Sequence, residues 1–134
     1  MSYAAIITTQ KEVKQYIKEQ IILENASLLE NCVLQIIKNE YMYLIVKNNE
    51  FSPPYYPTKK GKAWNNKEVF IRTLENINEQ YLVKKLLFVF LGEDETVHKI
   101  INCSFDELKE LIKQNNIEAN VLYKVKHYYT EYNK

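Results

Sequence analysis

Residues 84–103 run "KKLLFVFLGEDETVHKIINC", and the fold depends on how this stretch divides. "KKLLFVFL" (84–91) and "TVHKIINC" (96–103) are strand-length runs rich in β-branched and aromatic residues. The polar "GEDE" (92–95) between them offers Gly92 for a positive φ, so the two runs are expected to form a hairpin with a four-residue loop. Directly downstream, Ser104 and Glu107 stand at capping-box spacing and open "FDELKELIKQ" (105–114). Phe105, Leu108, Leu111 and Ile112 share one side of that helix, and Asn115-Asn116 stops it. "IEANVLYKVKHYYTEY" (117–132) then alternates, with Tyr123, Val125, His127 and Tyr129 on one face and Leu122, Lys124, Lys126 and Tyr128 on the other. This pattern predicts a closing strand.

Upstream, Asn65 and Glu68 form another capping box, and Val69, Phe70, Thr73, Leu74 and Ile77 give the stripe of a helix ending near Tyr81. Thr9 and Glu12, followed by Val13, Tyr16, Ile17 and Ile21, predict a helix over 9–24. "NCVLQIIKNEYMYLIVKNN" (31–49) admits two readings. Leu28, Leu29, Cys32, Val33, Ile36 and Ile37 fit a helical stripe, but the β-branched and aromatic content from Val33 to Val46, broken at Lys38-Asn39-Glu40, favours a hairpin. Helix, hairpin, helix, hairpin, helix and strand add up to an α+β fold, with a mixed or mainly antiparallel sheet of about five strands and three helices.

A chain of 134 residues, 46% apolar and 26% charged, has the size and composition of one globular domain spanning 1–134. Its net charge of +1 provides no overall field toward nucleic acid or anionic lipid, and Arg72 is the only arginine. Cys32 and Cys103 are too few for a disulfide framework and are read as reduced thiols. The first residues lack a basic leader, and "YMYLIV" and "LLFVFL" fall far short of the ~20 apolar residues of a membrane helix. Cytoplasmic residence without a membrane partner is the expectation.

The catalytic inventory is thin. Gly61 and Gly92 are the only glycines, which excludes a glycine-rich phosphate cradle. Cys32, His98, Cys103 and His127 lack the short spacings of structural zinc sites. A metal-dependent nuclease would draw on Glu93, Asp94 and Glu95, yet the strand that should carry Glu-x-Lys reads Ile45-Val46-Lys47. No catalytic residue, metal ligand or cofactor is assigned, and an enzyme of the nuclease type is kept only as a second alternative.

One segment departs from this even background. Residues 53–64, "PPYYPTKKGKAW", combine three prolines, which cannot occupy the middle of a sheet, with Tyr55, Tyr56, Lys59, Lys60, Lys62 and Trp64. Lys124, Lys126 and Tyr128 repeat the mixture near the C-terminus. Rigid aromatic residues in a loop are good protein anchors, so the favoured function is a regulatory or accessory protein that binds another protein, or its own copy, through loop 52–67. The alternative is a nucleic-acid binder, in which rings stack bases at about 1–3 kcal/mol each while lysines neutralise phosphates. Near-neutral charge and the single arginine favour the protein partner.

Overall fold

The structure, a computed structural model, describes residues 2–26, 41–48, 53–55, 57, 66–91 and 96–126. They form β1 (Ser2–Thr9), β2 (Ile17–Lys18), β3 (Ile21–Asn25), β4 (Tyr41–Lys47), α1 (Lys67–Tyr81), β5 (Val83–Leu91), β6 (Lys99–Ser104), α2 (Phe105–Lys113) and β7 (Val121–Lys126). The strands make one sheet in the order β2-β3-β4-β1-β5-β7-β6. Every neighbouring pair is antiparallel except β6 and β7, which run parallel. The α+β class is as expected, but the described residues give seven strands and two helices in place of about five and three.

β1 and β5 occupy the middle of the sheet, and their sequences show why. Ala4 to Ile7 and Leu86 to Val89 are buried on both faces, which accounts for continuous apolar runs in place of alternation. On one face Ala5, Ile7, Leu86, Phe88, Tyr123 and Val125 pack against Phe70, Leu74 and Ile77 of α1 and Leu108 and Ile112 of α2. On the other, Ala4, Ile6, Leu44, Val46, Leu87, Val89 and Leu122 form a second cluster. The register slips between Thr8 and Thr9, opposite Lys85 and Val83. This bulge turns Val83 onto the same face as Leu86, where it joins the larger core.

Two sequence expectations are overturned. Strands 84–91 and 96–103 both form, as β5 and β6, but they are not a hairpin because β7 lies between them. β6, α2 and β7 instead make a parallel crossover unit; "GEDE" lies outside the described residues. The helix expected over 9–24 is replaced by the end of β1, then β2 and β3. Thr9 does not cap a helix: its hydroxyl donates to the Lys11 carbonyl at 2.6 Å. The Val13 amide donates to the Tyr43 hydroxyl at 2.8 Å, and Glu19 (φ 53°) with Gln20 (φ 68°) forms the two-residue turn between β2 and β3. Arg72 of α1 grips that turn through Glu19, at 3.1 and 3.2 Å from Nε to the two carboxylate oxygens.

Local signals did specify the two helices. Asn66, one residue beyond the expected cap, accepts from the Val69 amide at 3.1 Å. At α2 the Ser104–Glu107 box closes in both directions, at 3.0 and 2.8 Å. The Asn115 amide donates to Ile112 and the Asn116 amide to Leu111, with Asn115 left-handed at φ 56°; this is a Schellman stop. The final strand forms over Val121–Lys126, and residues 27–40 and 127–134 lie outside the described residues, together with the choice between helix and hairpin over 28–38.

Ser104→Ala is expected to cost about 1 kcal/mol in denaturant unfolding by removing the cap. Gln20→Gly, relieving a left-handed non-glycine residue, is expected to raise stability by up to about 1 kcal/mol in the same assay. Glu107 accepts from the Ser104 backbone amide and its carboxyl is held below the ordinary range. The folded state therefore favours the ionised form, and the resulting stability is present at neutral pH and lost as pH falls through the carboxylate range. Glu107→Gln should flatten the acid limb of a melting-temperature profile.

Candidate binding surface

Of the nine residues singled out for binding, Tyr55, Lys124 and Lys126 are described; Tyr56, Lys59, Lys60, Lys62, Trp64 and Tyr128 lie outside the described residues. Tyr55 does not face solvent. Its side chain is fully buried, with its ring 5.5 Å from Phe70 and 5.7 Å, edge-on, from Phe88. A base or partner residue cannot stack on it, so its place in the loop is that of an anchor. The reason is packing: Phe70 of α1 and Phe88 of β5, 5.4 Å apart, leave an aromatic site beside the sheet that the tyrosine completes.

The Tyr55 hydroxyl is buried without a hydrogen-bond partner among the described residues, and burial, with a smaller contribution from Tyr123, pushes its pKa up to about 12. Tyr123, across the core, differs: its hydroxyl accepts from the Glu118 amide at 2.8 Å. At the base of the loop the Asn66 amide donates to the Pro54 carbonyl at 2.8 Å. Lys67 Nζ donates to the Lys113 carbonyl at 2.8 Å, which fixes the start of α1 against the end of α2. The hydrogen bond from Asn66 to Pro54 thus joins the residue before buried Tyr55 to the residue that caps α1.

Lys124 and Lys126 are exposed on β7, on the face shared by Leu122 and turned away from α1 and α2. Lys124 stands opposite Lys85 of β5. Like charges placed directly opposite in an antiparallel pair are ordinarily destabilising. The described members of the expected set therefore do not make one surface: Tyr55 belongs to the helix-side core and the two lysines to the opposite face.

Among the described residues no group of three His, Cys, Asp or Glu side chains is placed to hold a metal ion, and no helix is long and apolar enough to cross a membrane. Cys103 is buried, and burial, with Glu107 nearby, raises its thiol to about 11, the reverse of nucleophile activation. Ile45 and Val46 of β4 are core residues on opposite faces of the strand. Cys32, His127, Glu93, Asp94 and Glu95 lie outside the described residues.

Two concave features went unforeseen. One, of about 300 Å³, lies between β2 and the end of α1 and is lined by Gln15, Tyr16, Lys18, Asn76 and Glu79 among others. The other, of about 520 Å³, runs between β6 and α2. Its residues, Ile101, Cys103 and Leu111, carried the sequence signature of strand and helix, but nothing local marks a strand as a sheet edge. Comparison of the chain with models of known protein families, with curated proteins and with solved structures finds no match.

Tyr55→Phe removes an unpartnered buried hydroxyl and is expected to leave stability unchanged or raise it by about 1 kcal/mol, whereas Tyr55→Ala should cost about 3–5 kcal/mol. With the folded hydroxyl at about 12 against 10.0 when solvated, Tyr55 holds its proton longer in the folded chain. Stability is full below the solvated value and falls as pH rises from 10 toward 12, a loss that Tyr55→Phe should diminish in alkaline melts.

Proposed function

We propose that the chain is a non-catalytic binding or regulatory protein that engages a protein partner, or a second copy of itself, through a surface including loop 52–67. The supporting observation is the anchoring of that loop by Tyr55 in the core and by the Asn66–Pro54 hydrogen bond. A segment bearing Lys59, Lys60, Lys62 and Trp64 that starts and ends on fixed atoms loses less entropy on binding than a free one. Trp64 then serves as the apolar anchor and the lysines as a rim that speeds encounter with an acidic partner.

Trp64→Ala is expected to abolish self-association in sedimentation, or capture of the partner by the immobilised protein, without lowering the melting temperature by more than a few degrees. Retention of every partner and of the oligomeric state contradicts the proposal.

A second reading has one specific observation in its favour. Lys124 facing Lys85, with exposed Lys126 two residues on, is a basic row on the face of β5 and β7 opposite α1 and α2. Nucleic-acid phosphates are its natural counterions. Lys124→Thr should then stabilise the fold by about 0.2–1 kcal/mol while weakening a labelled single-stranded oligonucleotide at low salt. Absence of oligonucleotide binding by the parent protein at low salt excludes this reading.

A further inference from the structure

The sheet ends at β6, which is bonded to β7 on one side only among the described strands. Natural edge strands guard themselves with prolines, bulges or inward charges. β6 reads Lys-Ile-Ile-Asn-Cys-Ser and has no proline, and its Ile100 is 47% exposed. Its single charge, Lys99, stands at the start of the strand, 3.8 Å from Glu118. Beside this edge lies the groove of about 520 Å³. Ile101, Cys103 and Leu111 supply its apolar lining, and Asp106, Glu107 and Glu110 stand along its α2 side; among the described residues no lysine or arginine lines it.

We propose that the β6 edge and this groove receive an extended, basic segment of a partner protein, which adds to the sheet as a further strand. An added strand satisfies the outward amides and carbonyls of β6. Its alternate side chains fall on two sides: one set over Ile101, Cys103 and Leu111, the other beside Ile100. A lysine or arginine within the first set comes within reach of Asp106 and Glu110.

Charge selects this occupant over a second copy. Pairing β6 with its own copy would bring two sets of Asp106, Glu107 and Glu110 to one seam. Each acid has a lysine of its own chain nearby, Lys126 acting on Glu107, but the pairs at Asp106 and Glu110 are long and exposed. Lys109 lies 3.5 Å from Asp106 but 3.1 Å from Glu75 and over the Phe105 ring, and Lys113 is 3.7 Å from Glu110. Asp106 is 93% exposed, and pairs of this kind are weak and exchange readily with a partner's charges. None of the described lining residues belongs to loop 52–67, and the proposal does not rest on the reading of that loop.

The test is fluorescence anisotropy with a labelled peptide of about eight alternating lysines and valines, against a glutamate–valine peptide and a lysine–valine peptide N-methylated along one edge. The lysine peptide should bind with salt-sensitive affinity and shift the amide resonances of Lys99–Ser104. Both controls should bind at least about tenfold more weakly, and Asp106→Lys with Glu110→Lys should reverse the preference between lysine and glutamate peptides. Both substituted residues are exposed, so an unchanged melting curve confirms that the variant is folded. No binding by the lysine peptide, equal binding of all three peptides, or resonance shifts elsewhere overturns the proposal. A dimer that Ile100→Pro converts to monomer overturns it in favour of a second copy.

Discussion

Asn120 sits where three segments meet. Its amide donates to the Phe88 carbonyl at 2.6 Å, its carbonyl accepts from the His98 amide at 2.8 Å, and its side chain donates to the Thr96 carbonyl at 2.9 Å. It does this from a left-handed conformation, φ 62°, that asparagine tolerates better than most residues. These bonds hold the start of β7 against the middle of β5 while the segment leading into β6 is held on its other side. β7 therefore enters between two strands that are neighbours in sequence, and β6 becomes the edge. The groove beside α2 is a consequence, since α2 is the crossover from β6 to β7 and lies next to an edge that no further described strand covers.

The helix side of the sheet depends on a second constraint, the cluster of Phe70, Phe88 and Tyr55. It joins α1 to β5 and also fixes one end of the proline-rich segment. The tyrosine gives up hydration of its hydroxyl to take this place, which makes Tyr55 a structural contributor to the loop and leaves Trp64 and the lysines as its candidates for contact.

What was legible in the sequence was local. The Ser104–Glu107 box, the Asn115-Asn116 stop and the Phe70–Ile77 stripe act within a few residues, and the structure uses each of them. The 9–24 pattern misled because helical spacing arose from residues with unrelated duties. Val13 is buried beneath the Tyr43 contact and Ile21 lies in β3, while Ile17, which a helical stripe would bury, is 60% exposed. Strand order was not legible, because the choice between a 84–103 hairpin and a crossover is made by Asn120 against residues more than twenty positions away. The direction of Tyr55 was hidden for the same reason: a tyrosine in a proline-rich loop closes a core or meets a partner according to what lies across from it. The β6 groove was missed because edge status follows from strand order alone.

Amide hydrogen exchange followed by NMR tests the placement of β7 between β5 and β6 most directly. Amides of β1 and β5 should exchange only through global unfolding, whereas alternate amides of Lys99–Ser104, turned away from β7, should exchange far faster than those that face it. Uniform protection along Lys99–Ser104, together with cross-strand contacts between β5 and β6, would contradict the account.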